Sequence, residues 1–252
     1  MAPPKAPGSG TGRFRGLAFS QYVHGDPVTR HSVLLTGFGP FPGVTRNASA
    51  DLAGELACLA RRRYPQVQFV EHVFPVDWNE APLALSRLLL SHRPSIALHF
   101  GVSARATGFV LETLARNITT NAPDESGRLA ASGILIAGDR PQRTTTLPVR
   151  RILRSLVEAG YPAHLSQDPG RYLCNAVMFH SLRHAVRSMP RTRAGFIHIP
   201  ATLHPGAQGE PSKIGWEEAI DGGLRSIDAC VAPLIEPART GRPERTGMAA
   251  GV

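Results

Sequence analysis

The chain alternates short apolar runs with stretches in which apolar residues recur every three or four positions. The runs 33-VLLT-36, 67-VQFVEHVF-74, 95-SIALHFG-101 and 195-GFIHIP-200 have strand length, and their near-continuous apolar character suits strands buried on both faces. Between them, Leu52, Leu56, Leu59 and Ala60 follow the capping candidates Asn47 and Ser49, and Leu83, Leu85, Leu88 and Leu89 precede Pro94. Val149, Ile152, Leu153 and Leu156 predict a third helix stopped by Gly160. Cys174 to Val186 predicts a fourth, and Ile220, Leu224, Ile227 and Val231 a fifth that stops near Pro233. Strands that alternate with helices need crossover connections. The expected fold class is therefore α/β, a three-layer α/β/α sandwich with a mostly parallel central sheet. In such sheets ligands collect beyond the carboxyl ends of the strands.

Composition narrows the picture without changing it. With 252 residues, 42% apolar and 19% charged, the chain suits one medium domain, placed at 32–236. The Pro/Gly/Ala-rich flanks, 1–31 and 237–252, are expected to be disordered extensions, the first of them basic. No uninterrupted apolar stretch approaches the about 18 residues of a bilayer-spanning helix. The segment Gly16-Leu17-Ala18-Phe19 is too short for the apolar core of a secretory signal, and a cytoplasmic protein is expected. Cys58, Cys174 and Cys230 are odd in number and lack CxxC spacing, which argues against a disulfide framework or a cysteine-built zinc site. Five of the nine net positive charges fall in the two flanks. The domain itself has neither a basic helix nor aromatic and basic residues interleaved, so neither nucleic acid nor membrane is an expected partner.

Four segments could carry chemistry. The loop 36-TGFGPFPG-43 is stiffened by glycines and prolines and presents Phe38 and Phe41 beyond a strand end. The two rings either plug the core or wall an apolar slot for a small flat ligand. Its spacing matches neither GxGxxG nor a GK[ST] ending, so a nucleotide cradle is not expected. In 170-GRYLCNAVMFH-180, Cys174 follows a turn and opens an apolar-periodic helix, where free N–H groups and the macrodipole stabilise a thiolate. A lone cysteine there is more often a small buried hydrophobe, the role expected of Cys58 and Cys230. His198 ends an apolar strand that has little reason to hold an imidazole unless it projects at the sheet edge, which makes it a candidate base. Glu112 lies among apolar neighbours in 109-FVLETLARNI-118. It needs a partner if buried, either His198, as in catalytic triads, or Arg105 or Arg116 in a salt bridge. His180 and His184 stand four apart but lack a third ligand, so no metal is expected. Asp77, Trp78 and Glu80 read as a helix start.

The strings 33-VLLTGFGPFPG-43 with Asn47 nearby, Gly101 to Asn117 with Glu112, 170-GRYLCN-175 and 195-GFIHIP-200 together resemble the pyroglutamyl peptidase I (pyrrolidone-carboxylate peptidase) family of cysteine peptidases. The resemblance spans residues 32 to about 230. It implies a cofactor-free cytoplasmic enzyme of three-layer fold, often a homotetramer, that removes an N-terminal pyroglutamyl residue from peptides. By the same resemblance Cys174 matches the nucleophile, His198 the base and Glu112 the orienting acid. Phe38 and Phe41 match aromatics bordering the pyrrolidone ring, Tyr172 stands where another Phe is usual, and Val102 follows Gly101 in the substrate loop. The sequence departs from the family pattern at 102-VSARA-106, at Thr113 after the acid, and at 121-NAPDESG-127, which lacks the usual Arg. These departures surround the substrate. They leave open a diverged hydrolase of other cyclic or N-acyl amides, or a non-catalytic homologue that uses the Phe38/Phe41 slot for binding.

Overall fold

The computed structural model describes residues 31–187 and 192–235. The expected extensions fall outside them, apart from His31, whose carbonyl accepts from the Gln68 N–H at 2.9 Å. The strands are β1 (Ser32–Phe38), β2 (Gln68–Phe74), β3 (Ile96–Ser103), β4 (Phe109–Glu112), β5 (Leu114–Arg116), β6 (Gln142–Thr144), β7 (Ala163–Ser166) and β8 (Arg193–Pro200). The α-helices are α1 (Ala48–Arg63), α2 (Glu80–His92), α3 (Val149–Glu158), α4 (Leu173–Arg187) and α5 (Trp216–Ile235).

Six strands form the central sheet in the order β2-β1-β3-β8-β4-β7, and β5 pairs with β6 in a small antiparallel ribbon. Neighbours from β2 through β8 run parallel. The expected parallel core is thus present, with a reversal beyond it: β4 runs antiparallel to β8, and β7 follows β4 in parallel. Strand alternation divides the core in two. Val33, Leu35, Ile96 and Leu98 pack on one side with Leu56 of α1, Leu156 of α3 and Ile227 of α5. Leu34, Ala97 and Phe196 pack on the other with Leu85 of α2 and Ala176 of α4. The three-layer arrangement follows.

Local chemistry explains the helix starts. Asn47 caps α1, its side-chain oxygen accepting from the Ser49 N–H at 3.1 Å. Asp77 Oδ1 accepts from the Asn79 and Glu80 N–H groups, as expected of a cap. Its second oxygen pairs with Arg128, which the sequence did not suggest. Two expectations about side chains need correction. Cys58 is exposed, because the buried stripe of α1 runs through Leu52, Ala53, Leu56, Ala57 and Ala60 and leaves Cys58 on the outer side with Glu55. Leu83 is exposed on α2, whose buried stripe is Ala81, Leu85 and Leu89. The expected end near Pro233 holds, with α5 reaching Ile235. A proline in the last turn forfeits one hydrogen bond, and the helix runs on for two residues beyond it.

A candidate active site at the carboxyl edge of the sheet

The site lies where β1, β3 and β8 end and α4 begins. Its buried carboxylate–imidazole pair is set by strand register. In the antiparallel pair Glu112 stands opposite Phe196, and Val110 opposite His198. Glu112 and His198 are therefore diagonal neighbours on one face, within reach of each other's side chains. His198 Nδ1 lies 2.8 Å from Glu112 Oε1. A carboxylate only accepts, so the imidazole donates this bond and Nε2 is the nitrogen left for the cavity. Both residues are buried, and Glu112 Oε2 has no hydrogen-bond partner among the described residues. The alternative salt bridges to Arg105 and Arg116 do not form. Arg116 instead donates to the Gln167 carbonyl at 3.1 Å.

Cys174 is the second residue of α4, half-buried and lining the same cavity as His198. Burial opposes a charged imidazole at position 198. The charge of the neighbouring Cys174 sulfur and hydrogen bonding to it, together with the Glu112 bond and charge, outweigh burial and raise the His198 pKa to about 9. The sulfur also rests against Gly101. A Cβ built there would lie 2.6 Å from Phe196 Cζ and 3.0 Å from Cys174 Sγ, so only glycine leaves room for both. The first amides of α4 lack intrahelical acceptors and supply donors beside the sulfur.

Phe38, Phe41, Val102 and Tyr172 line the same cavity as Cys174, His198 and Glu112; its volume is about 590 Å³. Phe38 serves both readings of its loop, since it packs on Phe74 and Phe196 while one side faces the cavity. The loop holds its shape through buried polar groups. Asn47 Nδ2 donates to the Gly39 carbonyl at 2.9 Å, and the Phe38 N–H donates to Ser49 Oγ at 3.1 Å. Gly37 permits this close approach of β1 and α1, because a Cβ there would sit 2.2 Å from the Ser49 carbonyl oxygen. Tyr172 is fixed by its hydroxyl, which donates to the Pro123 carbonyl at 2.8 Å, and by edge contact with Trp78. Burial, then the nearby Asp124 charge, push the Tyr172 pKa up to about 12, so the hydroxyl remains a donor. Sequence reasoning gave Trp78 no place in the site.

Other residues singled out in the sequence lie outside the cavity. His180 and His184 lie on α4 beside α2, away from this cavity, and no group of three potential metal ligands occurs among the described residues. Thr113 donates to the Ser166 carbonyl at 2.6 Å and serves the sheet. The sequence reading also missed the far wall, to which β7 and the segment after it contribute His164, Ser166, Asp168 and Arg171. At four residues, β4 and β7 are too short for periodicity to reveal.

Residues 31–222 match the family model described as pyroglutamyl peptidase. The chain belongs to the pyroglutamyl peptidase family. A curated pyrrolidone-carboxylate peptidase from Pyrococcus furiosus is 33% identical over 169 residues, covering 67% of this chain and 80% of the relative. One from Chromobacterium violaceum is 35% identical over 186 residues, covering 70% and 83%. A solved structure of a mutant pyrrolidone carboxyl peptidase from Pyrococcus furiosus superposes with a TM-score of 0.72 at 29% identity, covering 81% of this chain and all of that one. This member of the pyroglutamyl peptidase family thus shares its fold with solved relatives over 81% of its length.

Proposed function

We propose that this protein is a cysteine peptidase that hydrolyses the amide bond after an N-terminal pyroglutamyl residue. The observation that carries the reading is the His198–Glu112 hydrogen bond in one cavity with Cys174, on a chain of this family. Cys174 is the nucleophile, His198 the acid–base and Glu112 the group that fixes the imidazole. The sulfur attacks the exocyclic amide carbonyl while its proton is held on His198. Amides at the start of α4 stabilise the oxyanion. The tetrahedral intermediate expels the peptide amine, which takes the proton from His198, and leaves a pyroglutamyl thioester. Water, deprotonated by His198, then attacks the thioester and releases pyroglutamate and the thiol.

The cavity walls give a reason for the cyclic substrate. An N-terminal pyroglutamyl residue is neutral, flat and half apolar, and suits a slot between Phe38, Phe41, Val102 and Tyr172. An open glutamate would bring an ammonium and a carboxylate into the same apolar space and be rejected. No helix among the described residues is long and apolar enough to cross a membrane. The cytoplasmic location and homotetramer that the family resemblance implies belong to this reading too; light scattering of the purified protein checks the assembly. The decisive experiment is hydrolysis of a pyroglutamyl coumarin amide. The expected result is an active wild type, inactive Cys174→Ser and Cys174→Ala variants, and rapid iodoacetamide labelling of Cys174 below neutral pH. Unchanged turnover in either variant eliminates the mechanism. Binding without turnover by the wild type establishes the non-catalytic homologue, and turnover only of other lactam or N-acyl amides the diverged hydrolase.

A further inference from the structure

At about 590 Å³ the cavity is much larger than one five-membered lactam requires. The aromatic slot occupies only one part of it. The remaining rim comes from the segment after β3 and the segment between β7 and α4, with Arg105, Asp168 and Arg171 as its charged members and His164 beside them. Both arginines are exposed, and among the described residues neither guanidinium meets a carboxylate. Glu125 near Tyr172 and Glu210 beside Ala104 are exposed but do not line the cavity, and the other acids close to it are engaged. Glu112 is buried against His198, Asp168 Oδ1 accepts the Gly170 N–H at 3.3 Å, and Asp77 and Asp124 pair with Arg128. Among the residues that line the cavity itself, the rim therefore presents two unpaired cations against one exposed acid, Asp168.

A peptide whose pyroglutamyl ring fills the slot has to lead its remaining residues out past this rim. Resting on the peptidase reading above, we infer that Arg105 and Arg171 are specificity-determining residues for the leaving portion. They favour substrates with a carboxylate one or two residues beyond the scissile bond. That carboxylate is either an acidic side chain or the C-terminus of a pyroglutamyl dipeptide, because a guanidinium offers both the same forked pair of donors. Arg105 lies in 102-VSARA-106, where the sequence departs from the pattern it resembles, so the preference belongs to this chain's own residues.

The test compares kcat/KM for four substrates at low salt: the C-terminal amides of pyroglutamyl-Glu, pyroglutamyl-Gln and pyroglutamyl-Lys, and pyroglutamyl-Gln as the free acid. Glu and Gln are near isosteres, which isolates charge; the free acid isolates the terminal carboxylate. Exposed pairs are worth a fraction of a kcal/mol to about 1 each, so the Glu amide or the free acid should exceed the Gln amide by roughly three- to tenfold. The Lys amide should fall below it, and the spread should shrink in high salt. In Arg105→Gln/Arg171→Gln the Glu-to-Lys ratio should fall toward one, and in Arg105→Glu/Arg171→Glu it should invert. Equal turnover of all four by the wild type, or a ratio that survives both double variants, overturns this inference while leaving the peptidase reading intact. No turnover of any of the four overturns both.

Discussion

Asn175 Oδ1 accepts the Arg116 N–H at 2.8 Å, and the Asn175 side-chain amide returns bonds to the carbonyls of Arg116 and Ile118 at 2.8 and 3.0 Å. This fully buried side chain follows Cys174 directly. It ties the start of α4 to the strand that follows Glu112, and so fixes the sulfur's helix relative to the Glu112–His198 pair. Asn175→Ala leaves three backbone groups without partners. It should lower stability by about 1–3 kcal/mol, and in the folded protein reduce kcat more than it raises KM. Thermal unfolding and steady-state kinetics on a pyroglutamyl coumarin amide check both.

Gly101 should tolerate no side chain. An added methyl meets the Phe196 ring and Cys174 Sγ at once, and the sulfur can yield only by leaving His198. Gly101→Ala should cost about 1–3 kcal/mol of stability. Its iodoacetamide labelling at Cys174 should slow in parallel with kcat. Wild-type labelling and turnover in this variant would refute the packing argument.

Glu112→Gln bears on the pH profile. His198 is raised to about 9 against burial by the Cys174 charge and hydrogen bond, and by the Glu112 hydrogen bond and charge. The protonated imidazole therefore contributes stability that is complete below about pH 6.5 and is lost as pH rises through 9. Removing the carboxylate charge withdraws part of that support. The alkaline limb of activity should move to lower pH, and kcat should fall roughly 10²- to 10⁴-fold, as for other imidazoles deprived of an orienting acid. A kcat profile from pH 5 to 10 tests this.

His99 predicts a sensitivity to acid. Burial drops its pKa to about 3, and the neutral ring sits between Thr36 Oγ1 at 2.8 Å and Ser181 Oγ at 3.0 Å. Below about pH 6.5 the unfolded chain takes up a proton there that the folded chain refuses until about 3. Stability should thus fall with pH across that window, by at most about 1.4 kcal/mol per pH unit from this group. His180, lowered to about 4 chiefly by burial, adds to the upper part of the window. His99→Gln should flatten the dependence of urea-unfolding midpoints on pH between 6.5 and 4.

His99 also marks where the sequence stops being readable. An apolar strand was expected to hold an imidazole only at its end. That reasoning located His198, yet His99 lies mid-strand and fully buried, because two hydroxyls 63 and 82 residues away satisfy it. The sheet's parallel core, the five helices and the segments that carry Cys174, His198 and Glu112 were legible from periodicity and from local motifs. The meeting of Glu112 with His198 was not fixed by periodicity, since it depends on the reversed register of β4, a four-residue strand. Cys58 shows the same limit at a finer scale: on α1 one step of rotation separates a buried position from an exposed one.

That reversed register also divides the labour of the molecule. Glu112 and His198 ride on hydrogen-bonded neighbours whose alignment resists drift, whereas Phe41, Arg105 and Arg171 ride on connecting segments. Loops can be exchanged or mutated while the strand-borne pair keeps its place, so the walls of the cavity are free to change around a fixed centre.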